Sequence, residues 1–215
     1  RGVKRYYKKK GSRYNKLNQV KNVTDIVEYK AIDLYSVLAD VKSTNSDFFL
    51  LNGCAQGTGS DNRLGLRTLM KSVRLNYMFK DITGTGRADD FIIRVILFYD
   101  KEPQGADPTV AELLHYTVAP YGALSMPAST GKDRFDILAD RRHCVCKDEN
   151  SGATPQYGQM YYKLNLPVHY NAFSTGDIDD INKGALFIFI MSDTATGTNA
   201  SVNFYFQSRV LYTDV

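Results

Sequence analysis

From Leu66 to Phe79 the chain reads LRTLMKSVRLNYMF, and its apolar positions recur every second residue. Leu69, Val73, Leu75, Tyr77 and Phe79 share one parity, while Thr68, Ser72, Arg74 and Asn76 share the other. Successive strand side chains point to opposite faces, so this pattern predicts a long β-strand with one face in a core and one in water. Met70 and Lys71 interrupt the alternation. No segment carries a comparable helical stripe, so the other apolar runs are read as the partners against which this strand is buried.

Eight strands follow from that reading: Thr24–Tyr35, Asp47–Asn52, Leu66–Phe79, Phe91–Asp100, Arg134–Val145, Gln159–Tyr170, Ala185–Met191 and Ser201–Thr213. In the first, Val27, Tyr29, Ala31 and Tyr35 are expected on one face. FIIRVILFYD and ALFIFIM are apolar on both parities, as strands covered on both faces are. Pro167 lies inside the sixth strand, and a residue without an N–H belongs at a sheet edge. Lettered B to I in chain order, these segments fit an eight-stranded antiparallel jelly-roll sandwich with sheets B-I-D-G and C-H-E-F. That topology puts the most apolar strands, E and H, at central positions. The short C, the charged F and the proline-bearing G fall at edges. Val73, Leu75, Tyr77, Phe187, Phe189, Phe204 and Phe206 are the expected inter-sheet core. Leu186, Ile188 and Ile190 are the alternative inward set for strand H. The region 101–133 has no strand character. Its Asp107-Pro108 start predicts one short helix over Thr109–Tyr116 inside a long functional or interfacial loop.

Charge divides the chain. Residues 1–21 contain Arg1, Lys4, Arg5, Lys8, Lys9, Lys10, Arg13, Lys16 and Lys21 and no acid, giving +9. The remaining chain holds 18 basic against 23 acidic residues, or −5. Residues 1–22 therefore read as a basic arm and 23–215 as the folded domain. Such an arm can be a solvated tail or a nuclear-import signal, for which KRYYKKK would serve. The reading preferred here is nucleic-acid binding, with the nine cations on phosphates and Tyr6, Tyr7 and Tyr14 as candidates for base stacking.

The remaining sequence features are mostly exclusions. No apolar run reaches the ~20 residues of a membrane-spanning helix, and no membrane partner or secretory signal is expected. Three cysteines (Cys54, Cys144, Cys146) without a CxxC pair predict a reducing compartment rather than a disulfide framework. The glycosylation-type triplets at Asn22 and Asn199 are therefore read as chance matches. His143, Cys144 and Cys146 do not have the two separated pairs of a zinc site and are expected to be structural filler. STGKD at 129–133 lacks the spacing of a phosphate loop. The acidic turn TGDIDDINKG fails the calcium-loop pattern from its fifth position on. No histidine sits beside a nucleophile, and Asp136 and Asp140 read as ion-paired edge residues. No enzymatic activity, cofactor or resident metal is expected.

RLGLRTLMKSVRLNYMF at 63–79, RVILFYDKEPQGADPT at 94–109 and RFDILADRRHCV at 134–145 resemble the capsid proteins of small circular single-stranded DNA viruses, the CRESS-DNA type. Similar patterns occur in satellite-necrosis-virus-like coat proteins, whose genomes are RNA. The resemblance covers most of 24–213, and its motifs are structural phrases rather than catalytic signatures. It implies a virion protein that self-assembles as a homo-oligomer into a small icosahedral shell, most simply T=1. The arm would face inward onto single-stranded DNA, or RNA, with the host nucleus as assembly site and import machinery and a receptor as host partners. The competing readings are a carbohydrate- or receptor-binding jelly roll, which needs no +9 tail, and a β-sandwich hydrolase, for which no site is present.

Overall fold

The alternating segment is a strand, and its interruption is a β-bulge. The computed structural model describes residues 28–42, 47–81, 91–117, 121–145, 155–194 and 202–215. Among them run nine strands: β1 (Lys30–Leu38), β2 (Asp47–Leu50), β3 (Arg67–Asp81), β4 (Phe91–Asp100), β5 (Phe135–Val145), β6 (Gln156–Tyr170), β7 (Ile181–Lys183), β8 (Ala185–Ser192) and β9 (Val202–Asp214). The register of β3 shifts between Met70 and Ser72 against both of its neighbours, so Lys71 is the extra residue. Before the bulge Thr68 and Met70 are buried; after it come Ser72 and then the alternating buried set Val73, Leu75, Tyr77 and Phe79. Leu69, expected to share the inward face of Val73, is only partly buried because the bulge reverses the parity.

The strands form two antiparallel sheets, β1-β9-β3-β6-β7 and β2-β8-β4-β5. These are the expected B-I-D-G and C-H-E-F sheets of a jelly roll, with β7 added as a three-residue extension of the first. It pairs with β6 only at His169 and Tyr170, so most of β6 remains the sheet edge that Pro167 requires.

The first strand departs from expectation in extent and in facing. It begins at Lys30, and Tyr29 and Tyr35 are exposed. Ile32, Leu34 and Leu38 supply the inward parity instead. Both parities of this segment carry apolar residues, so periodicity alone could not orient it.

Two cores result. Between the sheets lie Val73, Leu75, Tyr77, Phe204 and Phe206, with Phe206 edge-on to Phe49 of the opposite sheet at 5.0 Å. Phe187 and Phe189 are fully buried but belong to the second core. Phe189 stacks on Phe48 at 4.5 Å and Phe187 on Phe98 at 5.5 Å, on the far face of the four-stranded sheet. Leu186, Ile188 and Ile190, on the opposite parity of β8, therefore face the inter-sheet space.

The far face is roofed by the 101–134 segment. Its helices are single turns, α1 (Val110–Leu113) and α2 (Tyr121–Leu124), followed by a 3₁₀ turn over Ser129–Gly131. The expected helix over Thr109–Tyr116 is thus shorter. Thr109, not Asp107, is its cap, with Glu112 accepting from the Thr109 N–H at 2.7 Å and hydroxyl at 2.9 Å. Leu113, Leu114, Ala123 and Ala128 are buried beneath this cover.

Candidate nucleic-acid and assembly surfaces

Arg1, Lys4, Arg5, Lys8, Lys9, Lys10, Arg13, Lys16 and Lys21, with Tyr6, Tyr7 and Tyr14, lie outside the described residues. The description starts at Glu28, two residues before the edge strand β1. Glu28 and Tyr29 therefore lie beside one margin of the five-stranded sheet. There the Lys30 Nζ is 2.9 Å from the Asp214 carboxylate and donates to the Asn62 carbonyl at 2.9 Å. On the sheet, Arg67 and Arg74 are exposed, and Lys71 is half-buried at the bulge.

Buried charge positions the loops. Arg94, on the far face of β4, is fully buried. It makes a bidentate pair with Asp140, Nε–Oδ1 2.8 Å and Nη2–Oδ2 2.7 Å, and its other nitrogen donates to the Ser125 carbonyl. The guanidinium thus fastens α2 to the sheet. Arg134 does the same for α1, bridging the fully buried Asp100 (2.7 Å) and Glu112 (2.8 Å). Hydrogen bonds from the Thr109 backbone and hydroxyl, together with Arg134, hold the Glu112 carboxyl below the usual carboxylate range, and Asp100 raises Arg134 further. Asp136 pairs with Lys101 at 3.1 Å. Both Asp136 and Asp140 are therefore ion-paired, as read from the sequence, although neither Arg94 nor Lys101 is a chain neighbour of its partner.

The glycine-rich turn 53–65 is organised by Arg63, which sequence reasoning missed. The side chain is fully buried, donates to the carbonyls of Cys54, Gly65 and Phe173, and stacks over the Tyr170 ring at 4.3 Å. One cation therefore ties this turn to the 171–180 turn. In the latter, Asp180 is buried and accepts from Thr175 and from the Gly176 N–H. Gly176 has φ +88°, which its missing Cβ permits. No cluster of three potential metal ligands occurs among the described residues.

His143 points between the sheets, with its Nε2 2.8 Å from the Tyr77 hydroxyl and its ring beside Phe79. Cys144 is exposed on the other face, so it is not the buried filler that the sequence implied; Cys54 is buried, its thiol 3.3 Å from the Tyr212 hydroxyl. Cys146 lies outside the described residues. Burial, and then Arg141, lower the His143 pKa. The unfolded chain therefore takes up this proton more readily than the folded one. Stability falls as pH drops through about 6.5 and levels off below the folded-state value. The ring is only half-buried, so solvent screening keeps the loss small. Melting temperatures between about pH 7.5 and 5.5 are expected to decline less in His143→Gln than in the parent. An unchanged decline would place the responsible proton elsewhere.

Several large apolar side chains remain outside both cores. Tyr121, Leu124 and Met126 project from the cover and Phe173 from the neighbouring turn, all more than half exposed. Between cover and β5 lies a cleft of about 560 Å³ that Leu113, Ala128, Phe135 and Ile137 help to line. Apolar surface grouped in this way is characteristic of proteins that associate.

The two sheets and their charge-locked loops define the class as an antiparallel jelly roll, here with unburied apolar projections and a cationic N-terminal sequence. Residues 1–213 match the family described as geminivirus coat protein/nuclear export factor BR1, and the chain belongs to that family. It is 23% identical over 163 residues to the capsid protein of Miscanthus streak virus (isolate 91), covering 69% of this chain and 64% of that protein. It is 22% identical over 194 residues to the coat protein of Maize white line mosaic satellite virus, covering 88% and 86% respectively. Among solved structures it is similar to a Cocksfoot mottle virus chain at 12% identity and TM-score 0.38, covering 99% and 96%. The BFDV capsid protein solved as a 60-mer gives 8% identity and TM-score 0.34, covering 89% and 95%. The family description names both a coat protein and a nuclear export factor, and the two relatives are a capsid and a coat protein, structural rather than catalytic.

Proposed function

We propose that the chain is a virion protein whose copies close into a small icosahedral shell, T=1 in the simplest case, around single-stranded nucleic acid. In this reading residues 1–22 are the inward basic arm and 23–215 the shell-forming body. The DNA genomes implied by the sequence resemblance make DNA the first cargo to test, with RNA as the variant, and the KRYYKKK run suits entry into the host nucleus. The observation that carries the reading is the family match across the arm and the body together. The exposed Leu124 and Met126 support it, since closed symmetric assembly hides apolar loop residues that a monomer leaves in water.

Electron microscopy of the purified full chain tests it, with uniform spherical particles expected. Leu124→Glu and Met126→Glu are each expected to abolish particles while shifting monomer stability by no more than about 0.5 kcal/mol, read by thermal melting. Dispersed monomers from the parent chain would overturn the shell. Intact particles from both variants would move the subunit contacts away from the cover.

A further inference from the structure

The outer face of the five-stranded sheet is wet, yet it is not the polar surface that a solvated sheet normally presents. Strand register sorts its side chains into rows across β1, β9, β3 and β6. One row is Val37, Tyr205, Met78 and Tyr157. Two residues along comes Tyr35, Gln207, Asn76 and Gln159, and then Asp33, Arg209, Arg74 and Tyr161. The first two rows border a groove of about 540 Å³, and a smaller hollow of about 190 Å³ lies among Asp33, Arg74, Asn76 and Arg209. Tyr35 is 85%, Tyr157 73% and Tyr161 56% exposed. Three phenol rings, on the flanking strands β1 and β6 of this face, are thus left in water.

Charge identifies the occupant. In these rows the carboxylate is Asp33, and Arg209 already holds it through two contacts of 2.6 Å. Arg74 adds positive charge beside that pair, Lys163 pairs with Ser72 in the next row, and Lys80 extends the cations along β3. A second copy docking by this face would bring cations against cations. A polyanion with exposed flat rings satisfies both features, because phosphates take the arginines and lysines while bases stack on the tyrosines. In the sequence the +9 arm precedes β1, a margin strand of this same sheet.

We propose that this face is a platform for single-stranded nucleic acid, on which unpaired bases stack against Tyr35, Tyr157 and Tyr161 while Arg74, Lys80 and Lys163 hold adjoining phosphates. The proposal rests on the packaging reading and adds to it a base-contacting surface on the folded body. A duplex keeps its base faces stacked on one another, so the platform discriminates against it.

The test compares the full chain with Tyr35→Ser/Tyr157→Ser/Tyr161→Ser, whose three sites are exposed and outside both cores. Each is titrated with an oligothymidylate, a base-free phosphodeoxyribose oligomer of equal length, and a duplex. Titrations are run at low salt and at about 0.5 M salt, where phosphate attraction is heavily screened. At high salt the parent is expected to bind the oligothymidylate about tenfold or more tighter than the base-free oligomer, and tighter than the duplex. Its tyrosine emission should fall on binding, unmasked because the chain has no tryptophan. The variant is expected to keep its melting temperature and lose that margin. A parent that binds both oligomers equally leaves the phosphate-binding arm standing and overturns the platform. A variant that retains the base preference moves stacking to other rings, Tyr6, Tyr7 and Tyr14 included, and also overturns it. So does a variant that binds like the parent but no longer forms particles, which would make the face a subunit contact. A parent that binds no oligomer even at low salt removes the packaging reading as well.

Discussion

A variant lacking residues 1–21 is expected to fold and to bind single-stranded DNA on the order of a thousandfold more weakly than the full chain at low salt. The deleted stretch carries nine cations and no anion, whereas the rest of the chain is −5. If each cation met one phosphate, log K would fall with log salt at a slope of roughly −6. Cations that face water or other arms make the measured slope shallower. Deletion is expected to flatten it further, leaving the weak, base-dependent part that the sheet face supplies. The sandwich should survive, since the core among the described residues lies beyond the arm and the arm's composition is mostly charged and polar. Equal affinities and equal slopes for the two chains would make the arm a targeting signal and place the nucleic-acid surface on the body.

Arg134→Met is expected to destabilise the fold by about 3–5 kcal/mol, because it strands the Asp100 carboxylate at a fully buried position. For a chain of this size that lowers the melting temperature by on the order of 10 °C. The guanidinium spans two secondary carboxylate sites, so its loss also frees α1 from the sheet. Asp100→Asn/Arg134→Met should recover part of the loss, since no buried charge is then left without a partner. Arg209→Met is the control: Arg209 and Asp33 are both about half exposed, water screens them, and melting should hardly move. A single Arg134→Met variant that melts with the parent would mean that Asp100 reaches water.

The sandwich was legible because its strands differ in what they must hide. E and H could be placed centrally from their unbroken apolar runs, and Pro167 placed its strand at an edge. The break at Met70-Lys71 was visible as an irregularity, but its meaning as a bulge depends on register with β6 and β9, which alternation within one strand does not carry. Alternation likewise leaves Phe187 and Phe189, or Leu186, Ile188 and Ile190, as the inward set of β8, and the structure selects the second. Their strand is apolar on both faces, and only the roof formed by 101–134 distinguishes one face from the other. The arm was legible from composition alone. The tyrosine-bearing sheet face was not, because Tyr35 reads with the inward parity of its strand and Tyr157 lies outside the segment that reads as the sixth strand. Arg63, Arg94 and Arg134 were likewise hidden. A buried cation is recognised by its partners, and those partners are carbonyls and carboxylates distant in the chain, such as Asp140 for Arg94.

The place of β9 bears on how the protein is made. Among the described strands β1 pairs with β9 alone, and Lys30 meets Tyr212 only after roughly 180 further residues have been synthesised. At about 5–20 residues per second that is a delay of roughly ten to forty seconds. β3 is meanwhile paired on one side only, with β6. The five-stranded sheet closes in a single late event, when β9 inserts between strands already waiting on either side. A nascent chain interrupted before Val202 has an open sheet with two unsatisfied edges, so incomplete copies are exposed to aggregation and degradation before they can join an assembly.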